Sequence, residues 1–249
     1  TKTDILNDIK NLASQCDRCG SCNLVCPLFA ISDIESASPR GRINAARALA
    51  QGGVIPEADI LKAAQYCLLC GSCTQVCPSK IKTPTVMLKV REYLAQQAED
   101  NLQCAIDEKV RQEAFDALCE ACDEFMGSEP AKDNQVAYFF CCAAAQSLPT
   151  AIKSVKLLST VADVELVNNA HCGLLYLLHG DMAHYREFIK QNIGLFADVD
   201  TIVCDCAACA DALRYAAECF PYDEEAKEFS GKVLMLSEYL VKMGYVPQA

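Results

Sequence analysis

The chain carries the sequence CDRCGSCNLVCP at residues 16–27 and returns to it as CLLCGSCTQVCP at residues 67–78. Both copies have the spacing C-x₂-C-x₂-C-x₃-C-P, and the second copy begins 51 residues after the first. Cysteine thiolates are metal ligands, but structural zinc sites use paired C-x₂-C ligands and do not explain three close cysteines with a more distant fourth. The duplicated segment therefore predicts two metal centres that each contain more than one ion.

This spacing resembles that of two-cluster bacterial ferredoxins, in which the fourth cysteine of each run binds the other cluster. Three thiolates on a tight turn reach three irons of one 4Fe–4S cube, and the chain then carries the fourth thiolate away. We expect two 4Fe–4S clusters with exchanged fourth ligands, and structural zinc and disulfides are the alternatives. The expected ligands are Cys16, Cys19, Cys22 and Cys77 for cluster 1 and Cys67, Cys70, Cys73 and Cys26 for cluster 2.

Composition limits the class of protein. The 249 residues are 52% apolar and 22% charged, which favours a folded chain of about two domains. The net charge of −11 argues against nucleic acid and anionic membrane surfaces as main partners. No secretory signal pattern opens the chain, and 18 cysteines in a protein of this size favour the reducing cytoplasm. The longest apolar run, residues 137–145, is too short to span a bilayer, so we expect membrane contact only through a partner.

The two halves of the chain have different patterns. Apolar residues recur at helical spacing around both cysteine motifs, which predicts an all-α domain over residues 1–100. A polar-faced helix is expected within residues 101–130, a linker that ends at Gly-Ser-Glu-Pro. Short runs rich in β-branched or aromatic residues then alternate with helical stretches through residues 131–249. This alternation predicts a small α/β domain with a parallel sheet, and an α + α/β fold overall.

Cysteines follow each of the three expected strands, at residues 135–140, 161–167 and 201–203. The ends of parallel strands are where α/β sheets build their sites, so these thiols are expected to converge. The four candidates for a third iron–sulfur cluster are Cys142, Cys172, Cys206 and Cys209, and Cys141 can exchange roles with Cys142. Zinc binding and plain burial as small apolar residues are the alternatives.

Other residues near these motifs have open roles. His171 is a candidate cluster ligand, a proton shuttle or a hydrogen-bond donor to a ligand. Arg40, Arg42 and Arg47 either form a solvated helix start or supply cations that raise a cluster's potential. The cysteines without a complete ligand set are Cys104, Cys119, Cys122, Cys204 and Cys219.

The whole chain resembles the iron–sulfur subunits of glycolate and D-lactate oxidases, anaerobic glycerol-3-phosphate dehydrogenase and heterodisulfide reductase. The first half carries the two motifs and Ser38-Pro39-Arg40-Gly41-Arg42, and the second half resembles the family's cysteine-rich CCG domain. Members usually carry two such domains, and this chain has one. His171 stands where the first cysteine of Cys-Cys-Gly is found, which removes one of five ligands. The resemblance therefore implies an ordinary cubane at this site rather than a non-cubane, disulfide-cleaving cluster.

The resemblance implies an electron-transfer subunit with no catalytic residue of its own. The sequence carries no nucleotide-binding glycine fingerprint, no P-loop and no nucleophile elbow. A flavoprotein dehydrogenase partner is expected to oxidise a small substrate such as a 2-hydroxy acid, with a further protein as electron acceptor or donor. One alternative is a catalytic heterodisulfide- or quinone-reductase role at the C-terminal cluster, against which His171 and the single CCG domain weigh. The other is a non-redox binding module held together by metal.

Overall fold

The structure is a computed structural model that describes residues 1–95, 108–126, 132, 134–168 and 170–247. It contains two compact units. The first unit comprises Thr1–Asn101 with Tyr176–Met182, and the second comprises Leu102–Leu175 with Ala183–Ala249. The α + α/β fold class is confirmed, since residues 1–95 are helical and the later residues contain a parallel sheet. Residues 101–107 and 127–130 of the expected linker lie outside the described residues, and the domain boundaries at residues 100 and 130 stay predictions.

The first and third helices of residues 1–95 begin at side-chain caps that the sequence supplies, Thr1 and Ser38. Ser38 caps the third of them by accepting a hydrogen bond from the Gly41 amide at 2.9 Å, and Pro39 occupies its first position. The helices are α1 (Lys2–Ser14), α2 (Pro27–Ser32), α3 (Pro39–Ala50), α4 (Glu57–Gln65), α5 (Ser72–Gln75) and α6 (Thr83–Ala95), with 3-10 turns at Ser21–Val25 and Glu35–Ala37.

The core of this region lies among α1, α3, α4 and α6. Ile9, Ile43 and Ile60 are almost fully buried there, and each such side chain contributes about 1.5–3 kcal/mol to stability. Three half-buried motif residues pack against the same core, and these are Cys16, Cys67 and Cys77. The apolar core therefore fixes where both cysteine loops begin.

The remaining elements contain the sheet. In chain order they are α7 (Glu108–Met126), β1 (Gln135–Phe139), α8 (Cys142–Gln146), α9 (Leu148–Leu158), β2 (Asp163–Val167), α10 (Leu174–His179), α11 (Met182–Leu195), β3 (Ile202–Cys204), α12 (Ala207–Arg214), α13 (Ala216–Cys219), α14 (Glu224–Lys232), β4 (Val233–Met235) and α15 (Leu236–Lys242). The strand order is β2-β1-β3-β4, and every neighbouring pair is parallel.

The three expected strands are present, and the structure adds a fourth. Gln135 pairs with Asp163 to set the register of β1 and β2, and Ala137 pairs with Ile202 to add β3. The strand β4 escaped the sequence pattern because it is three residues long and lies directly between two helices. The helical stretches that follow β2 and β3 are each divided into two helices, and Gly180 at φ +86° separates α10 from α11.

None of the helices in the described part of the chain combines the length and apolarity that a membrane crossing requires.

Gly41 is a packing requirement of the segment that carries the arginines. A Cβ atom at this position would lie 1.9 Å from the carbonyl oxygen of Glu35, so Gly41→Ala must displace backbone. We expect a loss of about 1–3 kcal/mol in the free energy of unfolding, measured by urea unfolding. The control is Gly194→Ala in α11, where nothing lies within 4 Å of the new Cβ and a gain of about 0.5–1 kcal/mol is expected. Equal stabilities for the two variants would contradict this packing account.

Candidate metal centres

The two cysteine loops have the same unusual backbone conformation. The third residue of each motif is left-handed, with φ 60° at Arg18 and φ 56° at Leu69. The fifth residue is also left-handed, with φ 83° at Gly20 and φ 74° at Gly71. Non-glycine residues seldom adopt this region, so its recurrence 51 residues apart shows that both repeats fold the same loop. The turn aims the Arg18 amide at the sulfur of Cys16, at an N···S distance of 3.4 Å.

Serine hydroxyls and backbone amides contact the exposed sulfurs of both loops. The Oγ of Ser21 lies 3.5 Å from the Sγ of Cys19, and the Oγ of Ser72 lies 3.6 Å from that of Cys70. Hydrogen bonds from Ser21 lower the pKa of Cys19, and those from Ser72, its amide foremost, lower the pKa of Cys70. A lower pKa favours the thiolate, which is the form that binds metal.

Two cavities gather the motif cysteines in the expected sets. The first is lined by Cys16, Cys19, Cys22 and Cys77, and the second by Cys67, Cys70, Cys73 and Cys26. Each cavity therefore receives three cysteines from one repeat and the fourth from the other. Ligation by these residues stays a proposal, but the structure brings together the groups that it requires.

The sulfur spacing in these two sets suits a cluster better than a single ion. Tetrahedral zinc, with Zn–S bonds of about 2.3 Å, holds its sulfurs about 3.8 Å apart. Within residues 16–77, all of them described, no three of the eight motif cysteines have Sγ atoms within 4.8 Å of one another. The space between the side chains, including the part open to solvent, is about 310 Å³ in the first cavity and about 350 Å³ in the second. The donor sets therefore fit a 4Fe–4S group.

A third group of cysteines lies at the carboxyl ends of the strands. The Sγ atoms of Cys141, Cys206 and Cys209 lie within 4.8 Å of one another, just after β1 and β3. Cys172, which follows β2, joins them through a hydrogen bond with Cys209 that lowers its pKa. Hydrogen bonds from Cys141 and Cys209 also lower the pKa of Cys206. Four sulfurs from three strand ends thus form one buried or half-buried group, which suits thiolate ligation.

The structure places Cys141, rather than Cys142, in this group. Cys141 is buried and its Sγ accepts a hydrogen bond from the Ala144 amide at 3.4 Å. Cys142 is half-buried as the first residue of α8 and is not among the three close sulfurs. Cys141 therefore takes the place that the sequence analysis gave first to Cys142, with Cys141 as the alternative.

His171 lies beside the group without joining it. Its Nε2 is 3.6 Å from an Oε of Glu108, and its backbone carbonyl accepts a hydrogen bond from Asn192 at 2.7 Å. Burial and the nearby Arg111 guanidinium lower the pKa of His171, and Glu108 opposes them. The sequence did not indicate Glu108 or Arg111, because their pairing is a contact within α7 that no motif marks.

The other cysteines do not form a metal site in the part of the chain that the structure describes. Cys119 and Cys122 lie on α7, and burial raises the pKa of Cys122 to about 11. Cys204 is buried in β3, and burial raises its pKa as well. Cys219 ends α13, and Cys104 lies outside the described residues.

Arginines contact both cysteine loops. Arg42 lines the second cavity, and Arg40 lines the first. Arg91 donates to the carbonyl oxygen of Cys67 at 2.7 Å from a buried position on α6. The sequence did not single out Arg91, because it reads as one more polar residue of an amphipathic helix. The buried Nη2 of Arg42 has no hydrogen-bond partner among the described residues, which fits a site that takes an anionic group.

Comparison with known proteins identifies the first cysteine region. Residues 12–81 match the family described as a 4Fe-4S dicluster domain. A relative from Bacillus subtilis (strain 168), the "Probable glycolate oxidase iron-sulfur subunit", is 26% identical over 296 aligned residues, which cover 92% of this chain and 66% of the relative. The chain thus spans slightly less than two thirds of that relative's length. No solved structure matches the chain.

These similarities support the resemblance to that superfamily. They also confirm that the first unit carries a 4Fe–4S dicluster domain. The third group of cysteines lies outside the matched residues, so its occupant stays a proposal.

The third group yields a prediction about neighbouring cysteines. After anaerobic reconstitution, the wild-type protein is expected to bind more iron than the about eight atoms of two 4Fe–4S clusters. Cys141→Ser should lose this additional iron, because Cys141 contributes one of the close sulfurs. The matched control Cys142→Ser should keep it. Iron and acid-labile sulfide analysis measures both, and loss of the iron from Cys142→Ser alone would contradict the assignment.

Proposed function

We propose that the protein is an electron-transfer subunit of a multi-subunit, flavin-dependent oxidoreductase. One observation carries the proposal. Each of two cavities is lined by three cysteines of one repeat and the fourth cysteine of the other, which is the donor arrangement of a two-cluster ferredoxin. The dicluster family match over residues 12–81 supports the same role.

The residues of each loop suit reversible electron transfer. When bound, a 4Fe–4S cluster accepts and releases one electron. Hydrogen bonds from Ser21 and Ser72 lower the pKa of Cys19 and Cys70 and so stabilise the two thiolates. These contacts need no proton transfer when an electron arrives. Cys19 and Cys70 are themselves exposed, so each site reaches the protein surface. An exposed edge lets a redox partner approach closely.

The proposed donor is a flavoprotein dehydrogenase that oxidises a small 2-hydroxy acid such as glycolate or lactate. The similarity to a glycolate oxidase iron–sulfur subunit supports this partner and this substrate class. A net charge of −11 suits a partner with a basic face through electrostatic steering. We also propose a cytoplasmic location, where reducing conditions keep the many thiols available to iron.

We further propose that Cys141, Cys172, Cys206 and Cys209 hold a third iron–sulfur cluster. The convergence of four sulfurs at the ends of three parallel strands supports it. Three of these sulfurs lie closer together than those of the other two sites, so a single metal ion is the competing occupant. In this proposal His171 stays outside the ligand set because its ring nitrogens are not among the close ligand atoms and its Nε2 lies 3.6 Å from Glu108.

The electron-transfer role predicts reduction by substrate through a partner. The reconstituted protein should keep its visible absorbance when glycolate or lactate is added alone. Addition of a flavin-dependent dehydrogenase of that 2-hydroxy acid should bleach that absorbance, because the reduced flavin then supplies electrons. Dithionite serves as the control that the clusters are reducible. If the substrate reduces the flavin but the cluster absorbance persists, the proposed relay is contradicted.

The ligand exchange predicts a pairing pattern in double variants. Cys19→Ser combined with Cys77→Ser should leave cluster 2 intact, because both residues line the first cavity. Cys19→Ser combined with Cys26→Ser should damage both clusters, because Cys26 lines the second cavity. Electron paramagnetic resonance of the reduced proteins should therefore lose only the cluster 1 signal in the first double variant and lose the signals of both clusters in the second, while a signal from the third site should remain in both. The reverse pattern would mean that each repeat keeps its own fourth cysteine.

A further inference from the structure

Each of the two proposed cluster sites has an arginine that donates a hydrogen bond to the carbonyl oxygen of the first cysteine of its motif. The Nη2 of Arg47 donates to the carbonyl oxygen of Cys16 at 3.0 Å, and the Nη2 of Arg91 donates to that of Cys67 at 2.7 Å. Cys16 and Cys67 hold the same position in the two motifs. These two guanidinium groups therefore make the same kind of contact at the two sites, although Arg91 is buried and Arg47 is half-buried.

Arg42 is the charged residue that distinguishes the second site. It is 2% exposed and lines the cavity of Cys67, Cys70, Cys73 and Cys26. Its Nη1 lies 3.8 Å from the Sγ of Cys26, and its Nε donates to the carbonyl oxygen of Ala63 at 2.9 Å. No carboxylate among the described residues pairs with it, and no acidic side chain lines this cavity. The second site thus contains a buried, uncompensated positive charge.

The first site has a matching cation whose charge is cancelled. Arg40 lines its cavity, but the Arg40 Nε donates to one oxygen of Glu35 at 2.7 Å and its Nη2 donates to the other at 3.0 Å. The carboxylate of Asp17 and the exposed side chain of Arg18 also lie in the wall of this cavity. Opposite charges in contact with water largely screen one another. The net field at the first site is therefore weaker.

From this asymmetry we infer that Arg42 makes cluster 2 the more easily reduced of the two clusters. The inference rests on the proposed function, because it requires both clusters to be present. Reduction adds one electron from the flavoprotein donor and no proton, so the reduced cluster carries one more negative charge. A buried cation that also donates to a ligand sulfur stabilises this state. The first electron that enters the dicluster unit then resides at cluster 2.

Burial of the cluster 2 ligands disfavours reduction of that cluster and so opposes the effect of Arg42. Cys26 and Cys73 are buried, whereas Cys16, Cys22 and Cys77 are only partly buried. Burial alone disfavours the added negative charge at cluster 2. The same burial removes the water that would screen Arg42, and the guanidinium lies at contact distance from a ligand sulfur. The contact with the cation therefore outweighs the loss of solvation.

The test is a redox titration of the full reconstituted chain, followed by electron paramagnetic resonance. The Cys19→Ser, Cys77→Ser protein, which lacks cluster 1 and keeps cluster 2, assigns the signals of the dicluster unit. Arg42→Gln should lower the higher midpoint potential so that the ratio of reduced to oxidised cluster falls at least tenfold at a fixed potential, or about 59 mV for one electron. Arg42→Lys should restore at least half of this change, because the charge is kept. The lower midpoint potential should shift much less.

A surface variant tests the same inference if Arg42→Gln does not fold. The Glu35 side chain is 50% exposed, so Glu35→Gln should keep the fold while removing the charge that cancels Arg40. We expect it to raise the midpoint potential of cluster 1 and narrow the gap between the clusters. The control Glu120→Gln, at an exposed position of α7, should change neither potential.

Three results would overturn the inference. They are a higher midpoint potential for cluster 1 in the wild-type protein, equal shifts of both clusters in Arg42→Gln, and no shift of cluster 1 in Glu35→Gln. If iron analysis finds at least about eight irons per chain, enough for both clusters of the dicluster unit, each of these results contradicts the inference but not the proposed function. A protein that binds no iron–sulfur cluster would instead contradict the proposed function, and the inference with it.

Discussion

The placement of Cys26 and Cys77 in each other's cavity is the constraint on which the rest of the first unit depends. Each cavity is lined by three cysteines of one repeat and the fourth cysteine of the other, so the two loops must face each other. The apolar residues of α1, α3, α4 and α6 hold them there, and three motif cysteines pack directly on that core. Metal binding and folding are linked in such an arrangement, since a preformed site is absent from the unfolded chain.

The sequence predicted the grouping of the cysteines well because motif spacing is a local property. The motifs alone indicated which cysteines share a cavity, and the strand ends indicated where a third group gathers. The sequence could not decide between Cys141 and Cys142, because two adjacent residues at the start of a helix differ only in the direction of their side chains. It also missed β4, whose three residues lie directly between two helices without an intervening loop.

The charges around the sites were the least predictable feature. Arg42 and Arg40 lie two residues apart in one segment, yet one is buried beside a sulfur and the other is paired with Glu35. This difference depends on tertiary contacts of α3 with the preceding turn, which no spacing rule encodes. It nevertheless gives two loops of the same backbone conformation different electrostatic surroundings. A duplicated motif thus produces two sites with unequal electrostatic surroundings, and the inferred difference in potential between the clusters rests on this inequality.

The most direct measurement is an anomalous-difference map recorded at the iron absorption edge from crystals of the anaerobically reconstituted protein. The account predicts two compact groups of four irons. One group should lie against the sulfurs of Cys16, Cys19, Cys22 and Cys77, and the other against those of Cys67, Cys70, Cys73 and Cys26. A single metal ion in each repeat, or a fourth ligand from within the same repeat, would contradict it.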